Sequence, residues 1–135
     1  MKNKNIRFQI TEKSININDT INSFYTALND STGTIVIHHG KAKYPGKHIK
    51  NYKKIEIKML ENEDNIKEKL FSIVSKYDIN KIHIAHRIGT IYKNDAILFI
   101  GVEAVERNDG FNCVREVLEY MKQENIFSLK ELDEV

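Results

Sequence analysis

Residues 81–105 read KIHIAHRIGTIYKNDAILFIGVEAV. The first eight alternate: Ile82, Ile84, His86 and Ile88 fall on one face of an extended chain, and His83, Ala85 and Arg87 on the other. Lys93-Asn94-Asp95 is a turn. Ala96 to Val105 is apolar on both faces, the pattern of a central strand. This pair of strands organises the rest. Upstream, Ile6 to Ile10 is a short alternating strand. Asn18 or Asp19 can cap a helix carrying Ile21, Phe24, Tyr25 and Leu28 on one face. Thr34 to His39 is rich in β-branched residues and reads as a strand. Lys41 to Lys50 holds the only proline, in the turn Tyr44-Pro45-Gly46. Tyr52 to Met59 alternates apolar and charged residues, a strand with one wet face. Glu61 to Tyr77 opens on acids and continues at helical spacing through Ile66, Leu70, Ile73 and Val74. Downstream, Asn108 or Asp109 caps a last helix with Phe111, Val114, Val117, Leu118 and Met121 inward. The expected fold is α+β, a mixed or antiparallel sheet with three helices packed on it.

The 135 residues predict a single domain, 1–135, able to bury roughly two-thirds of its unfolded surface. Lys+Arg 21 against Asp+Glu 19 gives a net charge of +2, too small to imply nucleic acid. Hydrophobic residues at 41% exclude the disordered class. One cysteine, Cys113, excludes an internal disulfide framework and a multi-cysteine metal site. No apolar run approaches the roughly 20 residues of a membrane span, so the expected compartment is the reducing cytoplasm.

The charge is unevenly spread. Lys41, Lys43, Lys47, Lys50, Lys53, Lys54 and Lys58 face only Glu56 in their segment. That is either a solvated face or a site for an anion. His38 and His39 are adjacent on a strand and point to opposite faces, as do His83 and His86, so neither pair chelates one ion. No metal site and no cofactor are expected. Cys113 reads as a structural thiol. Arg107 stands at a strand-to-helix junction, where unpaired backbone N–H groups favour anions. Lys122 ends the same helix, where the dipole also favours a cation.

Together these residues resemble a known family. His86-Arg87-Ile88-Gly89, then Asp95, Ile100-Gly101-Val102, Arg107 three residues before Gly110-Phe111, and a helix ending in Lys122 are similar to the large subunit of molybdopterin synthase, the MoaE family. Gly33 to Ile37 with Gly40-Lys41-Ala42-Lys43 resembles that family's GAVVxFxGxVR segment. The resemblance runs from about Gly33 to Lys130. It implies an α+β fold with a hammerhead-like lobe, and a homodimer within a heterotetramer. It implies a small ubiquitin-like sulfur-carrier subunit that inserts a C-terminal Gly-Gly thiocarboxylate into a pocket. Sulfur passes in two rounds to cyclic pyranopterin monophosphate, giving the dithiolene of molybdopterin. No nucleic acid and no membrane are implied.

By position, Lys122 matches the first catalytic lysine and Arg107 the pocket arginine. The second lysine lies in a PxWKxE segment, here Ile126 to Glu131. Lys130 is the candidate, one residue further from Lys122 than the pattern. Lys43 replaces an arginine of the substrate site, keeping the charge and losing the bidentate fork. Glu106 replaces a histidine beside Arg107, reversing the sign. His86, Arg87 and Gly89 form the structural motif, and the usual Pro and Trp near the second lysine are absent. The family's tail beyond that lysine is cut short at Val135. The expected function is therefore a sulfur-transferring synthase subunit in molybdenum cofactor biosynthesis. The alternative is an altered member that binds the carrier without catalysis.

Overall fold

The computed structural model describes residues 5–134. The elements are β1 (Asn5–Thr11), α1 (Ile17–Phe24), β2 (Thr34–Lys41), β3 (Lys54–Met59), α2 (Glu63–Val74), β4 (Ile79–Arg87), β5 (Gly89–Ile91), β6 (Ala96–Ala104), α3 (Arg107–Met121) and β7 (Phe127–Leu132). They build two sheets. The larger is mixed, in the order β1-β4-β6-β2, with β1 parallel to β4 and the other pairs antiparallel. The smaller is antiparallel, in the order β5-β3-β7. The expected α+β fold with three helices is present, with the strands divided between two sheets.

Alternation along β4 sorts the layers. Ile82 and Ile84 join Ile100 and Val102 of β6 under α2 and α3, in a cluster holding Ile66, Leu70, Val114 and Val117. Ala85 and Phe99 face the other way and pack on Phe24 of α1. β6 is interior and buried along most of its length, as its two-sided apolar pattern requires.

The helix starts differ from expectation. Asn16, not Asn18 or Asp19, caps α1: its side-chain oxygen accepts from the Asp19 N–H at 3.1 Å. The helix stops at Phe24, leaving Tyr25 and Leu28 exposed. Asn62 caps α2 by accepting from the Asp64 N–H at 2.8 Å. α3 begins a residue or two earlier than expected. Glu106 is its extended N-cap and makes no side-chain cap bond, while Asn108 and Asp109 lie inside the first turn. Phe111 is 51% exposed rather than inward, and Gly110, Cys113 and Tyr120 are buried instead. β5 and β7 were not anticipated.

Two histidines are buried without charge. His83 donates from Nε2 to Gln9 Oε1 at 3.2 Å and meets the Phe99 ring edge-on. His86 stacks on Phe127 with ring centroids 3.7 Å apart. Burial lowers each from 6.5 to about 4; for His83 the Arg7 and Lys81 charges add to this, and for His86 a bond to the Arg87 carbonyl opposes it. The unfolded chain therefore takes up these protons first. Stability is full above about pH 6.5 and falls as pH drops towards 4, by roughly 3 kcal/mol per histidine. Urea midpoints at pH 7 and pH 5 should show this loss, and His86→Phe, which keeps the ring stack, should shrink it.

Candidate functional site: a lysine-lined cleft between the two sheets

A cleft of about 480 Å³ opens where the end of β2, the loop after it, the C-terminal end of α3 and one face of β7 meet. β2 contributes His38 and Gly40, and the following loop contributes Lys43, Lys47 and His48. α3 contributes Met121 and ends at Lys122. β7 contributes Phe127, Leu129 and Glu131. The basic Lys41–Lys58 segment thus meets Lys122 across one cavity, which favours an anionic ligand.

The local chain explains each placement. β2 alternates, so His38 faces the cleft; His39, on the opposite face, lines a separate small hollow beside Arg87. The expectation that the two histidines diverge is met. Burial lowers the His38 pKa, and the nearby charges of Lys122 and His39 lower it further. A neutral imidazole therefore stands beside the Lys122 ammonium. Lys122 is the C-cap of α3; its backbone N–H is committed to Leu118, and its side chain is exposed to the cleft. His86 also borders the cleft. Its Nδ1 lies 2.8 Å from the Arg87 carbonyl, so Nδ1 carries the proton and donates.

The loop is fastened by one side chain. Glu131 of β7 accepts three consecutive backbone N–H bonds, from Lys47 at 2.8 Å and from His48 and Ile49 at 2.7 Å each. Burial pushes the Glu131 carboxyl up, and these three bonds with the His48 charge outweigh it, so Glu131 titrates below the ordinary value. Gly46 is required at the turn: a β-carbon there would lie 2.2 Å from the Ile49 carbonyl oxygen and 2.7 Å from Glu131. Lys41 is turned to Asn94, donating to its side-chain oxygen at 2.8 Å.

The expected site residues divide. Lys122 and Lys43 share the cleft. Lys130 does not line it. On β7 the residues facing the cleft are Phe127, Leu129 and Glu131, and Lys130 pairs with Glu56 of β3 on the opposite face. The alternation of β7 turns this lysine outward and brings Leu129, 47% exposed, to the cleft. Arg107 and Glu106 stand at the far end of α3, about 22 Å of helix from Lys122. Neither reaches the cleft of its own chain.

Of the structural motif, Arg87 is buried on the α1 face at 8% exposure. It donates from Nε to the Glu12 carbonyl at 3.1 Å and from Nη2 to the Thr90 carbonyl at 3.3 Å. It thereby ties the loop after β1 to β5. Gly89, the first residue of β5, adopts φ +92, a conformation that side chains disfavour. Cys113 is fully buried in α3. No cluster of three metal-ligating side chains occurs among the described residues. Sequence reading missed His38 and Glu131 as members of the site and named Lys47 only within the basic segment; the alternation of Phe127, Ser128, Leu129 and Lys130 was the available signal that β7 is a strand.

Two sheets and three helices, with a lysine at the end of the last helix set against a lysine-bearing loop, define an α+β protein with a lysine-lined cleft between its sheets. The model of the MoaE protein family matches residues 10–124. The chain belongs to the MoaE family. A Yersinia pestis protein named molybdopterin synthase catalytic subunit is 22% identical over 129 residues, covering 88% of this chain and 78% of that protein. The crystal structure of molybdopterin synthase from Staphylococcus aureus has the same fold, with a TM-score of 0.74, 22% identity, and coverage of 94% of this chain and 91% of that one. So does a chain from the complex of subunits 1 and 2 of molybdopterin-converting factor from Helicobacter pylori 26695, at TM-score 0.74 and 12% identity, covering 92% and 83%. No helix among the described residues is long and apolar enough to cross a membrane.

Proposed function

We propose that this chain is the catalytic subunit of a molybdopterin synthase and acts in molybdenum cofactor biosynthesis, in the cytoplasm. The observation that carries the reading is Lys122 at the end of α3, lining a lysine-bearing cleft in a MoaE-family chain. The substrate is cyclic pyranopterin monophosphate. The sulfur donor is the C-terminal thiocarboxylate of a small ubiquitin-like carrier. In each round a carbon–sulfur bond forms on the substrate as one of its carbon–oxygen bonds breaks, the oxygen staying on the ring-opened phosphate or leaving as water; the bond from sulfur to the carrier's carbonyl carbon breaks, and water supplies the oxygen of the carboxylate left on the carrier. Both reactants are anionic, so Lys43 and Lys122 hold them together against their mutual repulsion. Lys122 is suited to moving a proton during ring opening, with His38 beside it in the neutral form. Arg107 and Glu106, remote from their own cleft, serve a site only in an assembled dimer, where a second copy supplies them.

One observation favours a second reading. With Leu129 facing the cleft and Lys130 turned away, the second lysine of the family pattern is missing from the site. The chain would then hold the carrier without turning over. Binding of a thiocarboxylated carrier and turnover of the substrate separate the two. Under the synthase reading, Lys122→Ala keeps carrier affinity within a few-fold and loses turnover. If the chain retains no ubiquitin-like protein ending in Gly-Gly, both readings fail.

A further inference from the structure

Among the described residues the second ammonium of the cleft does not come from β7. The loop between β2 and β3 supplies two others, Lys43 and Lys47. Lys41, their neighbour in sequence, is engaged with Asn94. Lys47 differs from an ordinary surface lysine in how its backbone is held. Its N–H is the first of three consecutive donors closed on the Glu131 carboxylate. The glycine before it admits no β-carbon. A loop fixed at three adjacent amides by one charged acceptor holds the Lys47 backbone at the edge of the cleft, so its ammonium starts from a fixed anchor. Glu131 faces the cleft from the same side of β7 as Leu129, so the fastening lies directly beside the position left without a lysine.

We infer that Lys47 is a third anion-holding lysine of the cleft, beside Lys43 and Lys122, in place of a lysine on β7, and that Glu131 is the residue that positions it. This rests on the synthase reading for the identity of the ligand. The role is electrostatic: Lys47 forms no covalent bond and transfers no group.

The test is the affinity of the full chain for cyclic pyranopterin monophosphate by calorimetry, followed by single-turnover kinetics with the thiocarboxylated carrier. Lys47→Gln should weaken substrate binding about tenfold or more, and Lys47→Arg should restore most of it. Lys130→Gln should leave binding within twofold of wild type. Glu131→Gln should raise KM more than it lowers kcat and speed hydrogen exchange at the amides of residues 47–49. Lys67→Gln, on an exposed helix face and paired with Glu63, serves as the charge-loss control. Wild-type affinity in Lys47→Gln, or a loss in Lys130→Gln equal to that in Lys47→Gln, overturns the inference while the synthase reading stands. Wild-type protein that neither binds nor converts the substrate overturns both.

Discussion

Lys122→Ala should lower the rate of sulfur transfer by a factor on the order of 10²–10⁴, the range for loss of a positioned proton-transfer group. The fold should survive. Lys122 follows the last helical residue, its side chain caps nothing, and its backbone bond to Leu118 is kept in any substitution except proline. The loss is therefore chemical. Lys122→Arg separates charge from proton transfer, because a guanidinium holds an anion but does not release its proton near neutral pH. That variant should keep substrate affinity and stay slow. The His38 imidazole gives a second readout: with the Lys122 charge removed, one of the influences lowering its pKa disappears. Its titration, followed by NMR, should move upward in Lys122→Ala. A variant with the wild-type rate and an unchanged His38 titration would remove Lys122 from the mechanism.

Glu103→Ala should cost stability of about 3–5 kcal/mol, the penalty for stripping one partner from a buried ion pair. Glu103 sits on central strand β6 with no exposure. One carboxylate oxygen accepts from the Asn29 N–H at 2.8 Å and the Thr32 hydroxyl at 2.7 Å; the other lies 3.0 Å from Lys81 Nζ. Lys81 in turn donates to the Phe24 carbonyl at 2.7 Å and lies over the Phe24 ring. This network fastens the connection from α1 to β2 onto the sheet, and β2 carries His38 to the cleft. Burial pushes the Glu103 carboxyl up, and the Asn29 amide, the Thr32 hydroxyl and Lys81 together more than reverse it. Its folded pKa is below its unfolded one, so its stabilisation is present above about pH 4.5 and is lost as pH falls through the folded value. Denaturant midpoints should drop in Glu103→Ala. The double variant Glu103→Leu with Lys81→Met should lose less than the two single losses added together, because no lone charge stays buried.

Much of this was legible in the sequence where a single period ran long enough. The alternation of residues 81–88 and the two-sided apolar run 96–105 marked β4 and β6, and helical spacing marked α2 and α3. β5 has only three residues, too few to show a period. β7 follows α3 closely and reads FSLKEL, apolar on one side only as far as Leu129. Missing it as a strand had a consequence at the site. A strand sets side chains by parity, so Leu129 and Glu131 go to the cleft and Lys130 does not. Lys122 and Lys43 were assigned from the resemblance to the family's motifs, and both line the cleft. The Glu131 fastening joins residues more than 80 positions apart, and no local pattern announces it. Arg107 could have been placed correctly from helix length alone: a helix of 15 residues separates it from Lys122.

The central claim is that this chain completes a sulfur transfer in its own cleft. The most direct measurement supplies purified wild-type protein with cyclic pyranopterin monophosphate and a stoichiometric excess of thiocarboxylated carrier, and follows product by mass. The account predicts a dithiolene carrying two sulfurs per substrate, with two carriers left as carboxylates. A chain that binds the carrier and the substrate yet leaves both unchanged would contradict it, and would leave the carrier-binding reading in its place.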